Sequence, residues 1–297
     1  MRSRPSVLLL NLVVGILLLA DQTYASNVPE RESVPAMSDI TGTVRFDLYQ
    51  GYFMVVHGSI GPLKNLNFFL DTGTTPSVLD ARIARKLGLP SEKSTSIGIL
   101  GGRTQGGVAN LPSLELGPLK RSNLQVVTTD LSFFQKSFPV RIDAIVGLDV
   151  LGQRPLVIDY SARAIRFGPA PALSVSVPLR LDQGMAVFDV EIDRTPVHLL
   201  FDTGAGSIIL FTRATPQSPS AKDPAIRTPQ QIGDFESKQV WLRSLRLGPE
   251  EFRQKLALMT RNPKPSQFDY DGLMSPAALG ISRVSLDLKG GVLAFSR

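Results

Sequence analysis

Short apolar runs, cut by glycine, proline and polar turns, recur along the chain, and few stretches sustain a 3.6-residue period. That pattern predicts an all-β protein of short strands with occasional short helices. Residues 46–49 and 52–56 read as strands around a turn at Gln50-Gly51, and the Gly61-Pro62 turn leads into an apolar strand ending at Leu70. Between residues 76 and 89 the apolar positions Val78, Ile83, Leu87 and Leu89 predict a strand exit followed by a short helix, closed by Gly88 and Pro90. A glycine-dense stretch over 97–107 lacks the Gly-Lys-Ser/Thr ending of a nucleotide loop and reads as a β-hairpin. Beyond it come strands over 111–116 and 124–127, a buried strand over 144–146, a short helix over 148–152 and a closing hairpin over 156–167.

The same order then returns. Phe69-Leu70-Asp71-Thr72-Gly73 is answered by Leu200-Phe201-Asp202-Thr203-Gly204, and Ser113-Leu114-Glu115-Leu116-Gly117-Pro118 by Ser244-Leu245-Arg246-Leu247-Gly248-Pro249, both at a displacement of 131. Further along, Asp143, Leu151, Gly152, Asp159 and Phe167 match Asp271, Leu279, Gly280, Asp287 and Phe295 at 128. Two blocks in register predict an internal duplication, with a first lobe over 44–168, a Pro/Ala linker over 169–176 and a second lobe over 177–297.

The N-terminus follows a different logic. Arg2 and Arg4 precede an apolar run from Val7 to Ala20, and Thr23-Tyr24-Ala25 ends it with a small-residue cleavage site. The run falls short of the roughly 20 residues of a spanning helix, so 1–25 is expected to be a secretory signal cleaved after Ala25, leaving a secreted or periplasmic protein with no membrane span. Polar residues 26–43 read as a flexible lead-in. The chain has no cysteine, which excludes disulfides and thiol chemistry. Its net charge of +6 is scattered, without the basic and aromatic clustering of a nucleic-acid surface. His57 and His198 sit on strand patterns and read as strand residues, not ligands; Asp143 and Asp271 read as turn or capping residues.

A repeated strand ending in Asp-Thr-Gly points to chemistry. Peptide hydrolysis needs a base to take a proton from water and an acid to protonate the developing oxyanion and the leaving nitrogen. Two facing carboxylates that share one proton supply both, because like charges about 3 Å apart do not both ionise readily. Asp71 and Asp202 are the expected pair, and neither a metal nor a cofactor is needed. With the apolar pair and glycine at Ile145-Val146-Gly147, the motifs resemble the retropepsin-like aspartic proteases, including exported bacterial members. The resemblance spans about 44–295 and implies two closed β-barrel lobes related by a pseudo-two-fold axis. It also implies that Thr72 and Thr203 hydrogen-bond across the junction, that Gly73 and Gly204 admit backbone amides close to the carboxylates, and that Gly101, Gly102 and Gly233 lie on substrate-covering flaps. The expected substrate is a polypeptide bound in extended form, cleaved by a monomer whose lobes pair within one chain. A non-catalytic peptide-binding module on the same fold is the alternative. One position departs from the pattern: Ser275 stands where the first copy has Gly147, behind the catalytic loop. A requirement there for positive φ or close backbone approach would displace the Asp202 loop and make the pair unequal.

Overall fold

The computed structural model describes residues 18–20, 42–90, 94–99, 102–211, 226–229, 234–260 and 269–297. As the apolar pattern predicts, these residues are mostly β and the helices are short; six strands close into a barrel, as the resemblance implies. The signal cleavage site and most of the lead-in lie outside the described residues, as do Gly101 and Gly233.

Two sheets carry the chain, one of ten strands and one of thirteen among the described residues. In the first, strand Asp47–Tyr49 pairs antiparallel with Phe53–Ile60 around Gln50 and Gly51, both at positive φ. Phe53–Ile60 in turn pairs with Leu63–Leu70, the strand that runs into Asp71. Its aromatic face fixes it: Phe69 stacks on Phe53 with ring centroids 3.9 Å apart, and Phe53 stacks on Phe138 at 3.7 Å. The glycine-dense stretch forms strands Ser94–Ile99 and Gly102–Leu116, paired antiparallel with Ile99 opposite Gly102. Gly102 thus begins the return strand of the expected hairpin.

Strand Val78–Asp80 leads into helix Ala81–Lys86, where Asp80 Oδ1 caps the helix by accepting from the Arg82 amide at 2.9 Å. Gly88, at φ 63°, ends the segment as its position in the sequence predicts. A 3-10 helix over Ser132–Lys136 buries Phe134 against Phe53 and Phe69. No periodicity announces it.

The second sheet ties the middle of the chain to its end. Leu156–Asp159 and Ala164–Phe167 form the expected hairpin, and Leu156–Asp159 also pairs antiparallel with Arg283–Asp287. Gly42–Arg45 joins on the outside of Ala164–Phe167. Val175–Asp182 pairs with the C-terminal strand Val292–Ser296, placing Val175 opposite Phe295. Phe167, Leu156, Leu286 and Phe295, each at most 1% exposed, share one core that extends into both sheets.

Candidate active site

Each Asp-Thr-Gly is delivered by the same local construction. Leu63–Leu70 lies parallel to Ala144–Val146, which is antiparallel to Val78–Asp80. Thr195–Phe201 lies parallel to Gly272–Met274, which is antiparallel to Ile208–Phe211. The Asp71 amide donates to Val146 O and the Asp202 amide to Met274 O, each at 3.1 Å. Asp143 and Asp271 pin the approach: their Oδ2 atoms accept from the Asn67 and His198 amides at 2.9 and 3.0 Å, in the anchoring role expected of turn residues. His57 and His198 both lie on strands, and the His198 ring meets Asp189 Oδ1 at 2.7 Å on the surface.

Where the two loops meet, Thr72 and Thr203 exchange hydrogen bonds. The Thr72 hydroxyl donates to Phe201 O at 2.9 Å and accepts from the Thr203 amide at 2.9 Å. The Thr203 hydroxyl donates to Leu70 O at 3.3 Å and accepts from the Thr72 amide at 3.1 Å. Four bonds therefore lock the ends of the two aspartate strands together, and both threonines are wholly buried.

That lock brings the carboxylates into contact with the opposite glycines. The Gly73 amide donates to Asp71 Oδ1 at 2.8 Å and the Gly204 amide to Asp202 Oδ1 at 2.7 Å. A Cβ on Gly73 would lie 2.6 Å from Asp202 Cγ, and one on Gly204 2.5 Å from Asp71 Cγ. Only glycine fits at either position, for reasons of space and not of φ.

Burial raises both acids. Burial pushes Asp71 up to about 6, with hydrogen bonds from Thr74, from the Asp202 carboxyl and from the Gly73 and Gly204 amides holding it back. Asp202 is driven well above the ordinary carboxylate range by burial and then by the neighbouring Asp71 charge, which the Gly204 and Ala205 amides only partly offset. The two acids thus form one strongly coupled buried pair, the environment in which a single proton is held in common.

Behind Asp71 lies a network that the sequence reading did not find. The Ser77 hydroxyl and amide donate to Asp149 Oδ1 and Oδ2 at 2.6 and 2.9 Å, and the Gly147 amide donates to Ser77 Oγ at 2.9 Å. A Cβ on Gly147 would lie 2.2 Å from Thr74 O, so glycine is required by close approach; its φ is −97°. Ser275 meets no such demand. It adopts φ −89° and ψ 138°, and its hydroxyl caps helix Pro276–Leu279 by accepting from the Ala277 amide at 3.2 Å. The tight approach in this half falls instead at Gly272, where a Cβ would lie 2.1 Å from Ile209 O. The Asp202 backbone keeps the same bond to its neighbouring strand as Asp71 does, so Ser275 does not displace it. Ser77 and Asp149 stand 72 positions apart, one on a loop and one on a helix, and no local pattern connects them.

The first copy is similar to retropepsin-like aspartyl proteases. Residues 56–150 match the family model described as aspartyl protease, a span that includes Asp71, Thr72, Gly73, Ser77, Gly147 and Asp149, and the chemistry it supports is peptide hydrolysis. Among curated proteins no sequence matches the chain.

Proposed function

We propose that this chain is an exported aspartic endopeptidase in which Asp71 and Asp202, one from each Asp-Thr-Gly, activate a single water. The observation that carries this reading is the burial of both carboxylates at the Thr72–Thr203 lock, each against the other's glycine. Within that pair the ionised acid takes a proton from water as the water oxygen attacks the peptide carbonyl carbon, and the protonated acid passes its proton to the carbonyl oxygen. The resulting gem-diol collapses when the newly protonated acid gives its proton to the nitrogen, the C–N bond breaks, and one gem-diol hydroxyl returns its proton to the other acid. The pair ends as it began.

An extended substrate is supported by the chain's own behaviour. Strand Leu18–Ala20 lies between the strand that follows the first Asp-Thr-Gly and the glycine-rich hairpin, with Leu19 opposite Thr75 on one side and Gly98 on the other. A peptide added to both edges in the same way gains backbone hydrogen bonds independently of its sequence, and runs beside Asp71. The N-terminal 25 residues, in this reading, direct export and are then removed. Among the described residues no helix is long and apolar enough to cross a membrane. Incubating the purified mature protein with a mixed peptide library tests the proposal: internal cleavages, identified by mass spectrometry and unaffected by a metal chelator, are expected. Intact peptides across the acid-to-neutral range would refute it.

A further inference from the structure

The hairpin of Asp234–Leu247 and Glu250–Thr260 answers, in the second copy, the one formed by Gly102–Leu116 and Leu119–Thr129 in the first. Both keep one register, with Ser244 opposite Arg253 as Ser113 is opposite Ser122, and both bend at a residue of positive φ, Gln254 at 52° and Asn123 at 50°. The first copy therefore shows which side chains the scaffold needs. Leu111, Leu114 and Leu116 return as Leu242, Leu245 and Leu247, buried in both. On the outer side the copies part: where the first exposes Asn110, Pro112 and Ser122, the second exposes Trp241, Arg243 and Arg253. Trp241, the only tryptophan of the chain, is 60% exposed and stands opposite Leu256, itself partly exposed. A side chain of that size is usually covered, and nothing in the shared scaffold asks for it here.

The charge on this face is not matched from within the protein. Glu250 pairs with Arg297 at 3.1 Å and Glu251 with Arg253 at 3.0 Å. Among the described residues that leaves Arg243 and Arg246, both exposed, without an acidic partner. In the first copy the position of Arg246 is held by Glu115, which Lys120 matches at 3.2 Å. Along the chain these basic residues are scattered; strand pairing gathers Arg243, Arg246 and Arg253 beside one indole. A partner for such a face is anionic at its rim and apolar beneath. An indole, with an apolar body and one N–H, favours the interface between lipid and water, and a guanidinium offers two parallel bonds to a phosphate. A soluble polyanion would engage the arginines and leave the ring exposed.

We propose that the outer face of this second hairpin docks on an anionic phospholipid bilayer, with Trp241 entering the headgroup region and Arg243 and Arg246 pairing with phosphates. The chain is then held at a membrane surface by one lobe, without a spanning segment. None of the three side chains belongs to the Thr72–Thr203 lock or to the aspartate loops, so docking and hydrolysis are separate properties and are tested separately.

Because Trp241 is the sole tryptophan, its fluorescence reports on this face alone. With vesicles of phosphatidylglycerol, the emission of the purified mature protein is expected to move to shorter wavelength and to lose its quenching by acrylamide. Phosphatidylcholine vesicles should leave both unchanged, and salt should reverse the response. In vesicle sedimentation, Arg243→Gln and Arg246→Gln should each weaken binding about fivefold, and together about thirtyfold. Trp241→Ala should weaken it as well, whereas Lys136→Gln, an equal loss of exposed charge in the first lobe, should not. Emission that phosphatidylglycerol leaves unchanged would overturn the proposal, and this arm needs no variant to fold. An equal loss from Lys136→Gln would overturn it too, by reducing the attraction to net charge. Binding to dextran sulfate without any response to vesicles would assign the face to a soluble polyanion and overturn the bilayer as its partner.

Discussion

Two buried acids raised above their unfolded values act against the fold whenever they ionise. Below about pH 3.8 the carboxyls are protonated in both states and cost nothing; as pH rises, the unfolded chain ionises freely while the folded pair resists. Stability contributed by the pair is therefore present at low pH and lost as pH climbs through the folded value of Asp71, about 6, and onward for Asp202. One pH unit of displacement corresponds to about 1.4 kcal/mol, so the coupled pair together weighs on the fold by a few kcal/mol near neutral pH. Asp202→Asn removes one ionisation and the repulsion that goes with it. In urea unfolding, the variant should match the native protein near pH 4 and exceed it at pH 7 by a few kcal/mol, so that a difference independent of pH would contradict this account of the site. The residues responsible were partly readable. Asp71, Thr72 and Gly73 announce themselves because the triplet repeats. The bond from the Thr74 hydroxyl to Asp71 Oδ2, by contrast, exists only in three dimensions.

At the scale of elements, the slot between Thr74–Thr75 and the hairpin strand Ser94–Ile99 is where the account is most exposed to test. Leu18–Ala20 fills it, pairing in parallel with one edge and antiparallel with the other. If the slot receives substrate, a chain retaining residues 1–25 competes with its own leader at high effective concentration. Peptide cleavage by that chain should be slower, through a raised apparent KM, than by one beginning at Ser26; equal KM values would mean that substrate binds elsewhere. The hairpin was legible because glycine density and turn spacing are local signals, and the same holds for helix Ala81–Lys86 with its cap and terminating glycine. The pairing of Leu156–Asp159 with Arg283–Asp287 was not legible. Leu156–Asp159 is a short apolar run and Arg283–Asp287 alternates polar and apolar residues, but partners more than a hundred residues apart leave no mark in either segment. Gly147 was identified as special, yet the reason, contact with Thr74 O, exists only in three dimensions.

For the whole molecule, the central claim is that one chain builds one site. The Thr72–Thr203 lock joins the ends of Leu63–Leu70 and Thr195–Phe201 within a single chain, and the second sheet binds Leu156–Asp159 to Arg283–Asp287 in that same chain. In the proposed mechanism, substituting either aspartate disables the pair formed by Asp71 and Asp202. Separate Asp71→Asn and Asp202→Asn preparations are each expected to lose hydrolysis almost completely while keeping the native β signature. In that mechanism the two acids act through one shared proton, so the losses should not add in the double variant. The deciding measurement is peptide cleavage by the two single variants mixed in equal amounts, after unfolding and refolding together to allow exchange. The account predicts that the mixture stays as inactive as its components. Activity recovered on mixing would contradict it by requiring Asp71 of one molecule to meet Asp202 of another, and activity in either variant alone would contradict the pair itself.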